Sequence, residues 1–155
     1  MESAIECSRV TSEHAPAGEF SIRRGLCSVD LSPRRTLTAS LAAEMASAVD
    51  ATLTLVHFTT GVEVWGPGGS HVDPVWKEKI VGNAIKVIAK LQQEVGIKAD
   101  VVIDSGNVPK LLSRAAEQTN ADVLVIGRSP GRSHLADNGE GYGIIPESRI
   151  PVLSI

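Results

Sequence analysis

Two stretches of this chain carry residue types suited to holding a phosphate and a sugar. The first is Val29-Asp30-Leu31-Ser32-Pro33. The second is Gly127-Arg-Ser-Pro-Gly131-Arg-Ser, with Gly139-Glu-Gly141-Tyr-Gly143 shortly after it. Glycines let main-chain N–H groups come close to a phosphate, and a helix N-terminus that follows adds a favourable dipole. A carboxylate such as Asp30 can accept hydrogen bonds from a ribose or a base. A plainer role is open to it as well, that of capping the turn that ends a strand.

Other chemistries fit less well. The Gly127–Ser133 stretch is one residue short of a P-loop, has Arg where that loop has Lys, and does not follow the first strand. Ser133, His134 and Asp137 are the types of a hydrolytic triad. They crowd within five positions of one loop, without the strained elbow that presents a nucleophile. His57, His71 and Asp73 match no standard metal spacing, and His57 reads better as a strand-end residue near a pocket. Arg34 and Arg35, and Lys77 and Lys79, read as solvated starts of helices.

Strand and helix patterns alternate along the chain. Gly25 to Leu31, Thr52 to Phe58, Ala99 to Ile103, Ala121 to Ile126 and Pro151 to Ile155 are apolar runs of strand length. Between the first two, Ser32 is a candidate N-cap and Pro33 suits a first turn; Leu37, Leu41, Met45 and Val49 then mark one apolar face. Asp73-Pro74 starts a long helix whose face carries Trp76, Ile80, Ala84, Val87, Ile88, Leu91 and Val95, and Gly96 stops it. Asn107 caps a third helix with Val108, Leu111, Leu112, Ala115 and Ala116 inward. The Gly- and Pro-rich stretch from Gly61 to Pro74 reads as a long loop. This alternation predicts βαβ crossovers and a five-stranded parallel sheet covered on both faces. Ligands of such sheets sit at the carboxyl ends of the strands, where the winding reverses.

Taken in order, the strands carry a further pattern. Val29-Asp30-Leu31-Ser32, Leu55-Val56-His57, Ala121-Asp-Val-Leu-Val-Ile-Gly127 and Pro151-Val-Leu-Ser-Ile155 resemble the successive strand motifs of the universal stress protein family. The resemblance runs from about residue 21 to the end of the chain, leaving residues 1–20 as a tail. It implies strand order 3-2-1-4-5, a Rossmann-like, adenine nucleotide alpha-hydrolase-like fold, and a regulatory rather than catalytic role in stress response. It also implies adenine nucleotide contacts, with ATP and Mg²⁺ the expected ligands: Asp30 and Phe58 on the nucleoside side; Gly127, Gly131, Gly141 and Tyr142 on the phosphate side. The family's glycine motif is Gly-x2-Gly-x9-Gly-Ser/Thr. Here the first gap is three residues, the second keeps nine, Tyr142 stands where the hydroxyl belongs, and Pro146 falls inside the expected last helix. The altered cradle predicts weak binding. A slow ATP hydrolase is the alternative, without an evident general base, and a nucleotide-free module for dimerisation or partner binding is another.

Composition narrows the partners. Hydrophobic residues make up 43% and charged residues 21%, normal for a globular chain. The formal net charge of −3 favours neither nucleic acid nor an anionic membrane. Cys7 and Cys27 form neither a metal spacing nor a disulfide framework, and the N-terminus lacks a secretory apolar core, so a cytoplasmic setting is expected. The aliphatic last strand lies at a sheet edge in the expected order, which predicts a homodimer joined through that strand.

Overall fold

The computed structural model describes residues 21–59, 63–127 and 148–155. Along the chain they form β1 (Arg24–Ser28), α1 (Arg35–Ala48), β2 (Thr52–Thr59), β3 (Glu63–Gly66), β4 (Gly69–Val72), α2 (Pro74–Val95), β5 (Asp100–Ser105), α3 (Val108–Thr119), β6 (Val123–Ile126) and β7 (Val152–Ser154). Five strands make one parallel sheet in the order β5-β2-β1-β6-β7, which is the expected 3-2-1-4-5. Residues 1–20, expected to be a tail, lie outside the described residues, and Cys7 with them.

Side-chain alternation divides the core into two layers. Leu26, Val56, Leu124 and Ile126 face α3, where Val108, Leu112 and Ala115 meet them. Cys27, Val29, Leu55 and Val125 face α1 and α2, against Ala39, Ala42, Ile88 and Leu91. Central strands buried on both faces read as continuous apolar runs, which is why VLVI of β6 stands out in the sequence. No helix among the described residues is long and apolar enough to cross a membrane.

At α2 and α3 the cap residues expected from the sequence hold the helix starts. Asp73 accepts from the Val75 and Trp76 N–H groups at 2.9 and 3.1 Å, and Asn107 accepts from the Lys110 N–H at 3.2 Å. Gly96 closes α2 at φ 74°, a left-handed conformation that only glycine adopts at little cost.

Three expectations are corrected. Ser32 is not the N-cap of α1: the helix begins two residues later, Arg34 occupies the cap position without a side-chain bond, and Ser32 is engaged by Asp30 instead. The buried face of α1 is Thr38, Ala39 and Ala42, while Leu37 and Val49 are about half exposed. Small side chains let the helix approach the sheet, so its larger apolar residues are pushed to the flank. There Met45 and Val49 border a small apolar groove with Ile22, Val123 and Val125. Finally, the Gly- and Pro-rich stretch holds an antiparallel hairpin of β3 and β4, with Gly66 opposite Gly69 around Pro67-Gly68.

Candidate functional site

The route of the chain fixes where a site can form. From β1 it moves through α1 to β2 and through α2 to β5; α3 then carries it back across the sheet to β6, on the other side of β1. Winding therefore reverses between β1 and β6. Their carboxyl ends, at Val29-Asp30 and Ile126-Gly127, are where sheets of this kind form a ligand crevice, because the connections leave in opposite directions.

At the β1 end the backbone is tightly specified. The half-buried Asp30 accepts the Ser32 N–H on Oδ1 at 3.1 Å, and the Ser32 hydroxyl donates to the same oxygen. Asp30 thus does cap the turn that ends the strand, and Oδ2 takes no part in that turn. Arg35 then braces the loop: its Nη1 donates to the carbonyls of Leu31 at 3.2 Å and Ser32 at 3.1 Å. The solvated role read for Arg35 is corrected accordingly. Its side chain is half-buried, and its enclosed Nε has no partner among the described residues.

The ladder between β1 and β2 ends in an unusual way. Its last rung is the Val29 N–H donating to the Val56 carbonyl at 2.9 Å. In a regular parallel ladder the Val29 carbonyl would next accept the Phe58 N–H, since alternate residues point their main-chain groups to the same neighbour. Instead, Nδ1 of the buried His57 lies 2.8 Å from that carbonyl. The carbonyl can only accept, so Nδ1 carries the proton. No hydrogen bond joins the Phe58 N–H to a main-chain partner among the described residues. Phe58 continues the register with β5 opposite Asp104, but its own N–H and C=O turn toward the β1 side, where β1 has already departed.

Across the crevice stands Gly127. A Cβ placed there would lie 2.7 Å from the Thr38 hydroxyl, so the approach of α1 is enough to demand glycine at this position. Asp30, Phe58 and Gly127 are thus brought to one end of the sheet. Gly131, Gly141 and Tyr142 lie outside the described residues, as do Ser133, His134 and Asp137. His71 sits on β4 of the hairpin, and no group of three metal-ligating side chains occurs among the described residues. A larger groove of about 530 Å³ runs between α3 and residues 148–150, lined in part by Leu112, Ala116 and Ile150 and away from Asp30.

The sequence did not reveal the His57 bond or the brace from Arg35. Strand alternation could have placed His57 on the same face as Val29, but not shown which main-chain atom it reaches.

Comparison with known proteins agrees with this topology. The chain is similar to the universal stress protein UspA from Lactobacillus plantarum at 20% identity and a TM-score of 0.69, covering 87% of this chain and 98% of that one. It is similar to a universal stress protein solved in complex with cAMP, at 15% identity and a TM-score of 0.62, covering 87% and 97%. A universal stress protein from Archaeoglobus fulgidus in complex with dAMP matches at 20% identity and a TM-score of 0.52, covering 86% and 97%. No curated protein sequence matches the chain significantly. The profile of the Universal stress protein family matches residues 22–138, well over half of the chain, and the chain therefore belongs to that family.

Proposed function

We propose that this chain is a non-enzymatic regulatory domain of a stress response, which binds an adenine nucleotide weakly in the crevice between β1 and β6. The observation that carries this reading is the Phe58 N–H, which has no main-chain partner among the described residues, at the end of the sheet that carries Asp30 and where winding reverses. A half-buried N–H without a partner is costly unless water or a ligand meets it. A neighbouring N–H and C=O can bond the ring nitrogen and amino group on one edge of adenine, and Asp30 can accept from a ribose hydroxyl. Two similar folds in complex with cAMP and dAMP support an adenine nucleotide as the ligand class. Gly127, Gly131 and Gly141 would lie toward the phosphates. The longer gap after Gly127 and the bulk of Tyr142 support weak rather than tight binding of ATP with Mg²⁺. The test is to denature the purified protein and identify any small molecule it releases. Release of an adenine nucleotide supports the reading; no release, together with no binding of AMP or ATP at millimolar concentration, refutes it.

A second reading, a nucleotide-free cytoplasmic module for homodimerisation and partner binding, is favoured by β7. Among the described residues this short strand has β6 as its only neighbour in the sheet, and Leu153 on it is exposed. Pairing of β7 with a second copy would close the edge in a two-fold symmetric dimer. Light scattering tests it: a monomer at tens of micromolar concentration would refute the strand-paired dimer.

A further inference from the structure

We infer that His57 is a positioning residue for the nucleoside, acting by holding the Val29 carbonyl out of line with the Phe58 N–H, which a regular ladder would tie to it. This rests on the nucleotide reading for its ligand but not for its structural part. The β1–β2 ladder has register for one more rung: Ser28 pairs Val56, and the Val29 N–H still reaches the Val56 carbonyl. A further bond from the Phe58 N–H to the Val29 carbonyl would tie the Phe58 peptide into the sheet. A carbonyl can accept two bonds, so the direction matters: the imidazole reaches it from the α1 and α2 face, the side on which Leu55 and Val29 are buried, and draws it out of the plane of the sheet. His57 is itself buried, so the bond is shielded from water and is worth more than an exposed one. Two things follow together. The Val29 carbonyl, one residue past β1, is fixed, which sets where Asp30 emerges. The Phe58 peptide is kept out of the sheet, free to meet a ligand edge. A histidine that only filled core space would do neither.

The experiment uses the full chain and two substitutions. His57→Asn retains an N–H at about the distance of Nδ1 from the backbone; His57→Leu retains bulk and removes the donor. Amide hydrogen exchange of Phe58 is read without ligand, and AMP affinity by calorimetry. In the parent chain the Phe58 amide is expected to exchange much faster than its ladder-bound neighbour Val56. In His57→Leu it is expected to slow, as the Val29 carbonyl accepts it, and AMP affinity to fall about tenfold, the loss of roughly one good hydrogen bond. His57→Asn should keep both properties close to the parent. A Phe58 amide already as protected as Val56 in the parent overturns the inference, and this needs no variant to fold. Equal AMP affinity in His57→Leu and parent overturns the positioning role. If the parent binds no AMP, the nucleotide reading fails while the exchange data still decide the displaced rung.

Discussion

The two ends of β1 are held by similar means and left in different states. At the amino end, Asp122 Oδ2 accepts the N–H groups of Arg23 and Arg24 at 2.8 and 2.9 Å. Arg24 returns its Nε to the Asn120 carbonyl at 2.8 Å, and its carbonyl accepts the Asp122 N–H at the same distance. Donors and acceptors are matched there, and the result is a clamp that sets the register of β1 against β6. At the carboxyl end, Asp30 and His57 also bond local groups, yet the Phe58 peptide is left over. A carboxylate used to finish one strand's hydrogen bonds is a structural part; one that finishes a turn beside an unpaired peptide is a candidate site. Residue type alone does not separate the two cases, since both strand ends carry an Asp.

The largest effect is expected where the crevice meets packing. Gly127→Ala sets a methyl group against Thr38, which is itself buried, and should destabilise the fold by about 1–3 kcal/mol in denaturant unfolding. Adding Thr38→Ala should recover most of that loss, because the clash is with the Thr38 side chain. If the double variant is no more stable than Gly127→Ala, the close approach is not what demands glycine.

At the amino end, Asp122→Ala should cost on the order of 1 kcal/mol, because two main-chain donors lose their acceptor, and should leave AMP affinity unchanged. Hydrogen bonds from the Arg23 and Arg24 main chain hold the Asp122 carboxyl below the usual carboxylate range. Its folded-state pKa lies below the unfolded value of about 4, so the stabilisation is present above that pH and lost as pH falls through the folded pKa. The gap between parent and variant should close under acid unfolding; a gap that widens there would contradict the clamp.

A smaller effect concerns Cys27, fully enclosed on β1 between these ends. Burial pushes its thiol up to about 12, so it should resist alkylation in the folded protein and react only on unfolding. Rapid labelling under native conditions would show that the middle of β1 opens, and the contrast between its ends would then lose its frame.

The legible parts of this fold are those that bury side chains. β1, β2 and β6 sit between two layers of helices, so Leu26, Val56 and Leu124 appear in unbroken apolar runs that call for a parallel sheet. The β3–β4 hairpin left no such trace: Gly69 to Val72 is exposed throughout, and no alternation marks it. The buried face of α1 is hidden because it is made of Thr38, Ala39 and Ala42, while the apolar stripe that draws the eye, Leu37 to Val49, lies on the flank of the helix and is only partly covered. Of the site, Asp30 and Gly127 could be singled out by type and position. The feature that most distinguishes the crevice could not, because it belongs to the main chain of Phe58 and depends on where the neighbouring strand stops.

Calorimetric titration of the full chain and of Asp30→Ala with AMP, and with ATP and Mg²⁺, tests the central claim most directly. The account predicts one-to-one binding to the parent with a Kd on the order of 0.1 mM, about −5.5 kcal/mol, little gain from ATP over AMP, and at least tenfold weaker binding by Asp30→Ala. Tight stoichiometric binding that Asp30→Ala leaves untouched would place the nucleotide elsewhere and contradict it.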